Sequence, residues 1–138
     1  MGRFYEFTLG TIHEAAKWFW REVGEHAVVA IHGPMGAGKT SFVHALCDVK
    51  GVCDPVSSPT FSLVNEYLDP AGEKIYHIDL YRIKDEEEAV QAGIEDILFS
   101  GFACFVEWPE KAPGIFPPKT VEAELKVNED QSRTIKLL

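Results

Sequence analysis

Apolar positions along the chain switch between two periods. From Arg3 to Leu9, apolar and polar residues alternate as on a half-buried edge strand. Ile12, Ala15, Ala16, Phe19, Trp20 and Val23 then fall at helical spacing and predict one buried helix face. Thr11-Ile12-His13-Glu14 has the T-x-x-E form of a capping box, with Thr11 as N-cap, and Gly24 supplies a stop. Trp18 and Trp20 read as packing aromatics rather than ligand contacts. Ala27 to His32 is a short, β-branched apolar run, as a strand covered on both faces would be. Helical spacing returns at Phe42, Val43, Ala45 and Leu46, within Thr40 to Asp48.

Lys50 to Pro59 carries loop breakers at Gly51, Asp54-Pro55 and Ser57-Ser58-Pro59. Phe61–Tyr67 and Glu73–Asp79 read as strands, and the turn signal Asp69-Pro70-Ala71-Gly72 joins them into an antiparallel hairpin. Asp85–Ala92 is a short helix whose first turn carries Asp85, Glu86, Glu87 and Glu88, charges that suit the helix dipole. This acidic run reads as a solvated face, or more sharply as a partner-docking one. Gly93 ends it, and Ile94–Leu98 adds a turn or two. Ala103 to Val106 is a buried strand ending in Glu107, followed by an irregular proline-rich stretch to Pro118. Val121–Val127 and Arg133–Leu138 form a closing hairpin. With no internal repeat or linker, residues 1–138 are expected to form a single domain.

Between the apolar run and the second helix lies Gly33-Pro34-Met35-Gly36-Ala37-Gly38-Lys39-Thr40, which reads G-x-x-x-x-G-K-T. Strand, glycine-rich loop and helix are the context in which this motif cradles phosphate. Glycines let backbone N–H groups turn inward without a Cβ clash, and the helix that opens at Thr40-Ser41 points its positive end at the same anion. Lys39 is then expected to reach the β- and γ-phosphates of ATP, and the Thr40 hydroxyl to hold Mg²⁺.

Composition narrows the setting. The chain has 138 residues, 46% hydrophobic and 25% charged, enough for one core. No apolar run is long enough to span a bilayer, and Met1 to Glu6 lacks the layout of a signal peptide, so a cytoplasmic protein without membrane contact is expected. A net charge of −9 disfavours direct nucleic-acid binding, since phosphate contacts need Lys and Arg. Any nucleic acid would have to be met through a partner, and solubility alone accounts for the acidity equally well. Cys47, Cys53 and Cys104 lack the spacing of a zinc site or a disulfide framework, and Cys104 reads as core filler.

Hydrolysis needs acids beside the loop, and these sit at the carboxyl ends of sheet strands. Glu107 directly follows its apolar strand, and Asp79 ends Lys74-Ile75-Tyr76-His77-Ile78. Lys39, Asp79 and Glu107 are therefore the catalytic candidates, with Thr40, Glu107 and Asp79 the candidate metal-holding set. Ser58 and Thr60 read equally as a γ-phosphate-sensing switch or as a serine-proline turn. His77 and Tyr81 alternate around Asp79, and the pattern leaves open whether they are core.

Taken together, the loop, Ser58-Pro59-Thr60-Phe61-Ser62-Leu63-Val64, His77-Ile78-Asp79-Leu80-Tyr81-Arg82 and Glu107-Trp108-Pro109-Glu110 resemble the bacterial TsaE (YjeE) ATPases of tRNA threonylcarbamoyladenosine modification. The resemblance runs from about Thr8 to Leu138. It implies a small α/β P-loop NTPase fold, with a mixed central sheet flanked by helices. It also implies a weak, Mg²⁺-dependent ATPase that docks on TsaB and TsaD and meets tRNA only through that assembly. Thr40 and Glu107 match the family's Mg²⁺ positions, Asp79 its essential acid, Ser58 and Thr60 its switch-like segment, and Trp108 the tryptophan after the metal acid. Arg133-Thr134-Ile135 resembles a C-terminal arginine strand bordering the nucleotide, and Thr8 falls near the adenine. Pro34-Met35 departs from an Asp-Leu pair common in the family, which removes a carboxylate beside the phosphates and stiffens the loop.

Two other readings compete. A small-molecule or nucleotide kinase would need an arginine-bearing lid, yet only Arg3, Arg21, Arg82 and Arg133 exist and no lid-like insertion is visible. A non-hydrolysing, ATP-gated binding module fits the scarce arginines too, with Arg82 as a candidate intrinsic finger or a surface ion pair. A GTPase lacks its N-K-x-D element, because Glu66 follows Asn65 and Glu129 follows Asn128.

Overall fold

The computed structural model describes residues 3–53 and 63–138. Its strands are β1 (Arg3–Phe7), β2 (Val28–His32), β3 (Val64–Leu68), β4 (Lys74–Asp79), β5 (Ala103–Glu107), β6 (Val121–Val127) and β7 (Arg133–Leu137). Its helices are α1 (Ile12–Val23), α2 (Lys39–Val49), α3 (Glu86–Gln91) and α4 (Ile94–Leu98). All the described strands join one sheet in the order β1-β7-β6-β2-β5-β4-β3. The inner run β6-β2-β5-β4 is parallel, while β1/β7, β7/β6 and β3/β4 pair antiparallel. This is the mixed α/β sheet expected, with both hairpins in place.

The two-residue period of the inner strands divides the core into two layers. Ala103 and Phe105 of β5 face α1 and α2, whereas Cys104 and Val106 face α3 and α4. On the first side Phe19 stands edge-on to Phe42 at 5.4 Å, and Trp20 stands edge-on to Phe105 at 5.4 Å. The indole N–H of Trp20 donates to the Leu46 carbonyl at 3.0 Å, so the buried ring leaves no donor unpaired. Trp18 is half-buried against the same layer, which agrees with the packing reading of both tryptophans.

One local expectation needs correction. Thr11 does precede α1, but its side chain does not cap that helix. Its hydroxyl instead accepts from Thr8 N–H at 2.9 Å, one turn earlier, because the chain already curls through a 3-10 turn at Leu9–Thr11. In the acidic segment, Asp85 Oδ1 accepts from Glu88 N–H at 3.0 Å and Glu88 Oε2 accepts from Lys84 N–H at 2.8 Å. Glu86 accepts from the Gly114 N–H. Three of the four acids thus serve as caps and a tether while the run stays exposed or half-buried, in keeping with a solvated, dipole-complementing first turn.

The topology gathers the carboxyl ends of β1, β2, β4, β5 and β6, and the start of β7, along one edge of the sheet. Open α/β sheets bind ligands at such an edge.

Burial pushes the Cys47 thiol up to about 12, assisted by the Asp48 charge, and pushes Cys104 up to about 12 by itself. Cys53 is exposed. A thiol reagent at neutral pH should therefore modify one cysteine quickly in the folded protein and all three after unfolding. Fast reaction of two or more thiols before unfolding would contradict this packing.

Candidate nucleotide and magnesium site

Gly33 leaves β2 with φ of 152°, and a Cβ there would stand 2.7 Å from the Leu125 carbonyl oxygen of β6. The loop can start here only because this residue has no side chain. Ala37 N–H closes a turn onto Pro34 O at 3.2 Å, and Gly38 enters α2 in the left-handed region. Arg133 Nε donates to the Ala37 carbonyl at 3.1 Å, so the last strand braces the loop from outside. Pro34, Met35, Gly36 and Ser41 are exposed, Gly38 is half-buried, and Ala37 is buried.

Among the described residues the buried polar or charged side chains are Lys39, His77 and Glu107, and all three lie under this loop. Sheet register explains why. His77 and Asp79 follow Ile75 at two-residue steps on the face toward α2, and Glu107 follows Phe105 on the same face. Asp79 is registered opposite Glu107, and Glu107 opposite Ile31, the residue just before His32 at the loop's root. Thr40, in the first turn of α2, donates its hydroxyl to Glu107 Oε2 at 2.8 Å, with Oε1 at 3.0 Å. On the other side His77 Nε2 meets Glu107 Oε2 at 2.5 Å.

Lys39 Nζ donates to the Gly33 carbonyl at 2.6 Å and rests 3.6 Å from the centre of the Trp108 ring. Trp108 adopts left-handed backbone angles, φ 58° and ψ 48°, rare for a bulky residue. Its ring also packs on Tyr81 at 5.0 Å. Asp79 Oδ1 accepts from Tyr81 N–H at 2.9 Å.

The charges feel this enclosure differently. Burial pushes the Lys39 ammonium below its ordinary range, against the pull of Glu107, Glu110 and Asp79. Burial also raises the Asp79 carboxyl, and the nearby Glu107 charge adds to that, while the Tyr81 N–H, His77 and Lys39 oppose it. For Glu107, burial opposes ionisation, but His77, Thr40 and Lys39 outweigh it and hold the carboxyl below the usual range.

Oxygen donors from Thr40, Glu107 and Asp79 suit a hard divalent cation. Among the described residues, no group of three or more His, Cys, Asp or Glu side chains could hold a metal ion without help. That combination fits Mg²⁺, which is held by one or two carboxylates together with substrate phosphates rather than by an all-protein cage.

The remaining sequence candidates divide. Arg133 touches the loop, and Thr8 directly follows Phe7, the residue paired with Arg133. Arg82 is exposed just beyond β4. Ser58 and Thr60 lie outside the described residues. The pattern alone left His77 open between core and site, and the structure makes it a member of the cluster. Its signal was the two-residue step to Asp79, which puts both on one sheet face.

Fold and loop together define a P-loop NTPase fold of the mixed-sheet kind. The family model of TsaE, threonylcarbamoyl adenosine biosynthesis protein TsaE, matches residues 8–135. The TsaE of Haemophilus influenzae is 41% identical over 114 residues, covering 80% of this chain and 69% of that protein. The TsaE of Treponema pallidum is 32% identical over 125 residues, covering 88% and 91%. The crystal structure of Bacillus subtilis YdiB superposes with a TM-score of 0.79 at 22% identity, covering 99% of this chain and 84% of that one, a likeness of fold. The chain belongs to the TsaE family, whose named members act in tRNA threonylcarbamoyladenosine biosynthesis.

Gly33→Ala should destabilise the protein by about 1–3 kcal/mol, through a clash with backbone that cannot swing away. Chemical denaturation would show the loss, and an unchanged midpoint would contradict the loop geometry. Asp79→Asn keeps the acceptor for Tyr81 N–H but removes a charge the fold disfavours. A carboxyl raised by folding weakens the native state above its folded pKa and has no such effect below its unfolded one. The variant should therefore melt higher than the natural protein at neutral pH, with the gap closing as pH falls through the raised Asp79 pKa. A gap that persists or widens in acid would contradict the assignment.

Proposed function

We propose that this protein binds ATP with Mg²⁺ beneath the Gly33–Thr40 loop and hydrolyses it slowly. It docks on the TsaB–TsaD assembly and so supports threonylcarbamoyladenosine modification of tRNA. The observation that carries this reading is the burial of Lys39 and Glu107 together under a glycine-rich loop that opens a helix. Burying an ammonium and a carboxylate is costly unless each meets a counter-charge. A triphosphate would give Lys39 the anion that a carbonyl and a ring face replace poorly. The N-terminal end of α2 favours the same anion.

In this reading Thr40 and Glu107 hold Mg²⁺, and Asp79 completes the metal shell or aligns the attacking water. Mg²⁺, when bound, offsets negative charge on the β- and γ-phosphate oxygens. Arg82 is exposed, three residues beyond β4. Arg133 braces the loop through Ala37 O and also donates to Gln131 O in the turn before β7, so its guanidinium is committed to carbonyls. Arg133 is thus not free to act as a preorganised finger over the phosphates, which favours slow turnover that a partner accelerates.

Capture of TsaB–TsaD on the immobilised protein, with ATP, with ADP and without nucleotide, tests the reading when run beside a phosphate-release assay. ATP-dependent capture and slow release stimulated by the complex are expected. Lys39→Ala should weaken ATP binding by about 1.5–3 kcal/mol, the worth of a charged hydrogen bond, or about 10- to 150-fold. Nucleotide-independent capture together with phosphate transfer to an added small molecule would favour a kinase. ATP-gated capture with no phosphate release would favour a binding module.

A further inference from the structure

The geometry points to His77 as a positioning residue that fixes which oxygen of Glu107 is left for the cation. This rests on the reading of Glu107 as a Mg²⁺ acid. The terminal torsion of a glutamate is broad and nearly two-fold, so its two oxygens exchange easily unless something tells them apart. Thr40 does not: its hydroxyl reaches Oε2 at 2.8 Å and Oε1 at 3.0 Å. His77 does, because its Nε2 meets Oε2 alone. An ionised carboxylate only accepts, so Nε2 carries the proton and the bond has one direction. Oε1 is left as the less engaged atom, touched by Thr40 alone.

The surroundings of His77 argue against a packing role. The ring is 0% exposed, and its Nδ1 has no hydrogen-bond partner among the described residues. An orphaned buried nitrogen is a penalty that a leucine or phenylalanine of similar volume would avoid. The contact with Glu107 is what an imidazole offers here and a hydrocarbon does not. His44 packs edge-on at 6.3 Å and steadies the plane of the ring. Partners of this kind orient metal ligands, and their loss commonly weakens metal affinity about 10- to 100-fold.

The test compares His77→Gln with His77→Asn. Glutamine can present an amide N–H near the position of Nε2, whereas asparagine is one methylene shorter and cannot reach Glu107. Binding of a fluorescent ATP analogue is titrated with Mg²⁺, then repeated in EDTA, and melting temperatures are recorded. His77→Asn should raise the Mg²⁺ half-saturation about 10-fold or more, with nucleotide affinity in EDTA unchanged. His77→Gln should stay close to the natural protein. Natural Mg²⁺ dependence in His77→Asn would overturn the assignment, as would equal losses in both variants that track their melting temperatures. A natural protein whose nucleotide binding ignores Mg²⁺ would instead sink the underlying reading of Glu107, and this inference with it.

Discussion

A carboxylate held inside a protein needs hydrogen-bond donors on nearly every side, and that requirement governs this molecule. Glu107 is 3% exposed and remains ionised because a helix-start hydroxyl and a core imidazole enclose it, with an ammonium nearby. The two donors come from different elements, Thr40 from α2 and His77 from β4, and the ammonium of Lys39, at the start of α2, adds its charge from nearby. Shift any of these elements by one residue and the acid loses a partner inside the core. Satisfied polar clusters of this kind allow few alternative packings.

The sheet makes the cluster possible. Parallel strands end together, so a two-residue period carries His77, Asp79 and Glu107 to one edge and one face. The loop closes over that edge because Gly33 can pass against the Leu125 carbonyl where any Cβ would collide. In the proposed reading, function and stability pull against each other here. Asp79 is charged where the fold disfavours charge, Lys39 is buried against a carbonyl, and Trp108 is held in left-handed backbone. Sites of catalysis commonly retain such strain, and the surrounding core compensates for it.

Much of this was legible in the chain itself. The glycine-rich loop, both hairpins, the buried face of α1 and the two strand-end acids follow from local spacing, since each depends on periodicity or turn chemistry. The cap at Thr11 did not, because a T-x-x-E pattern cannot show that the backbone has already begun to curl at Thr8. The acidic first turn of α3 reads as surface charge and is exposed or half-buried, but local spacing does not show that Glu86 also reaches the backbone N–H of Gly114, far away in sequence. His77 was ambiguous for a similar reason. A histidine in a strand is core or site according to what lies across the sheet, and strand order is a long-range property. Arg133 is the converse case, since family resemblance placed it by the nucleotide and the sheet brings it to the loop through β7.

In the proposed reading a triphosphate completes the site: among the described residues the carboxylates and hydroxyl form no full cation shell, and Lys39 Nζ hydrogen-bonds a carbonyl rather than an anion. Thermal unfolding followed with Mg²⁺ alone, ATP in EDTA, and both together tests this most directly, because a ligand stabilises the native state in proportion to the logarithm of its concentration above Kd. The account predicts little change with Mg²⁺ alone, a modest rise with ATP alone, and the largest, concentration-dependent rise with both. A shift with Mg²⁺ alone equal to that with both, or no shift under any condition, would contradict it.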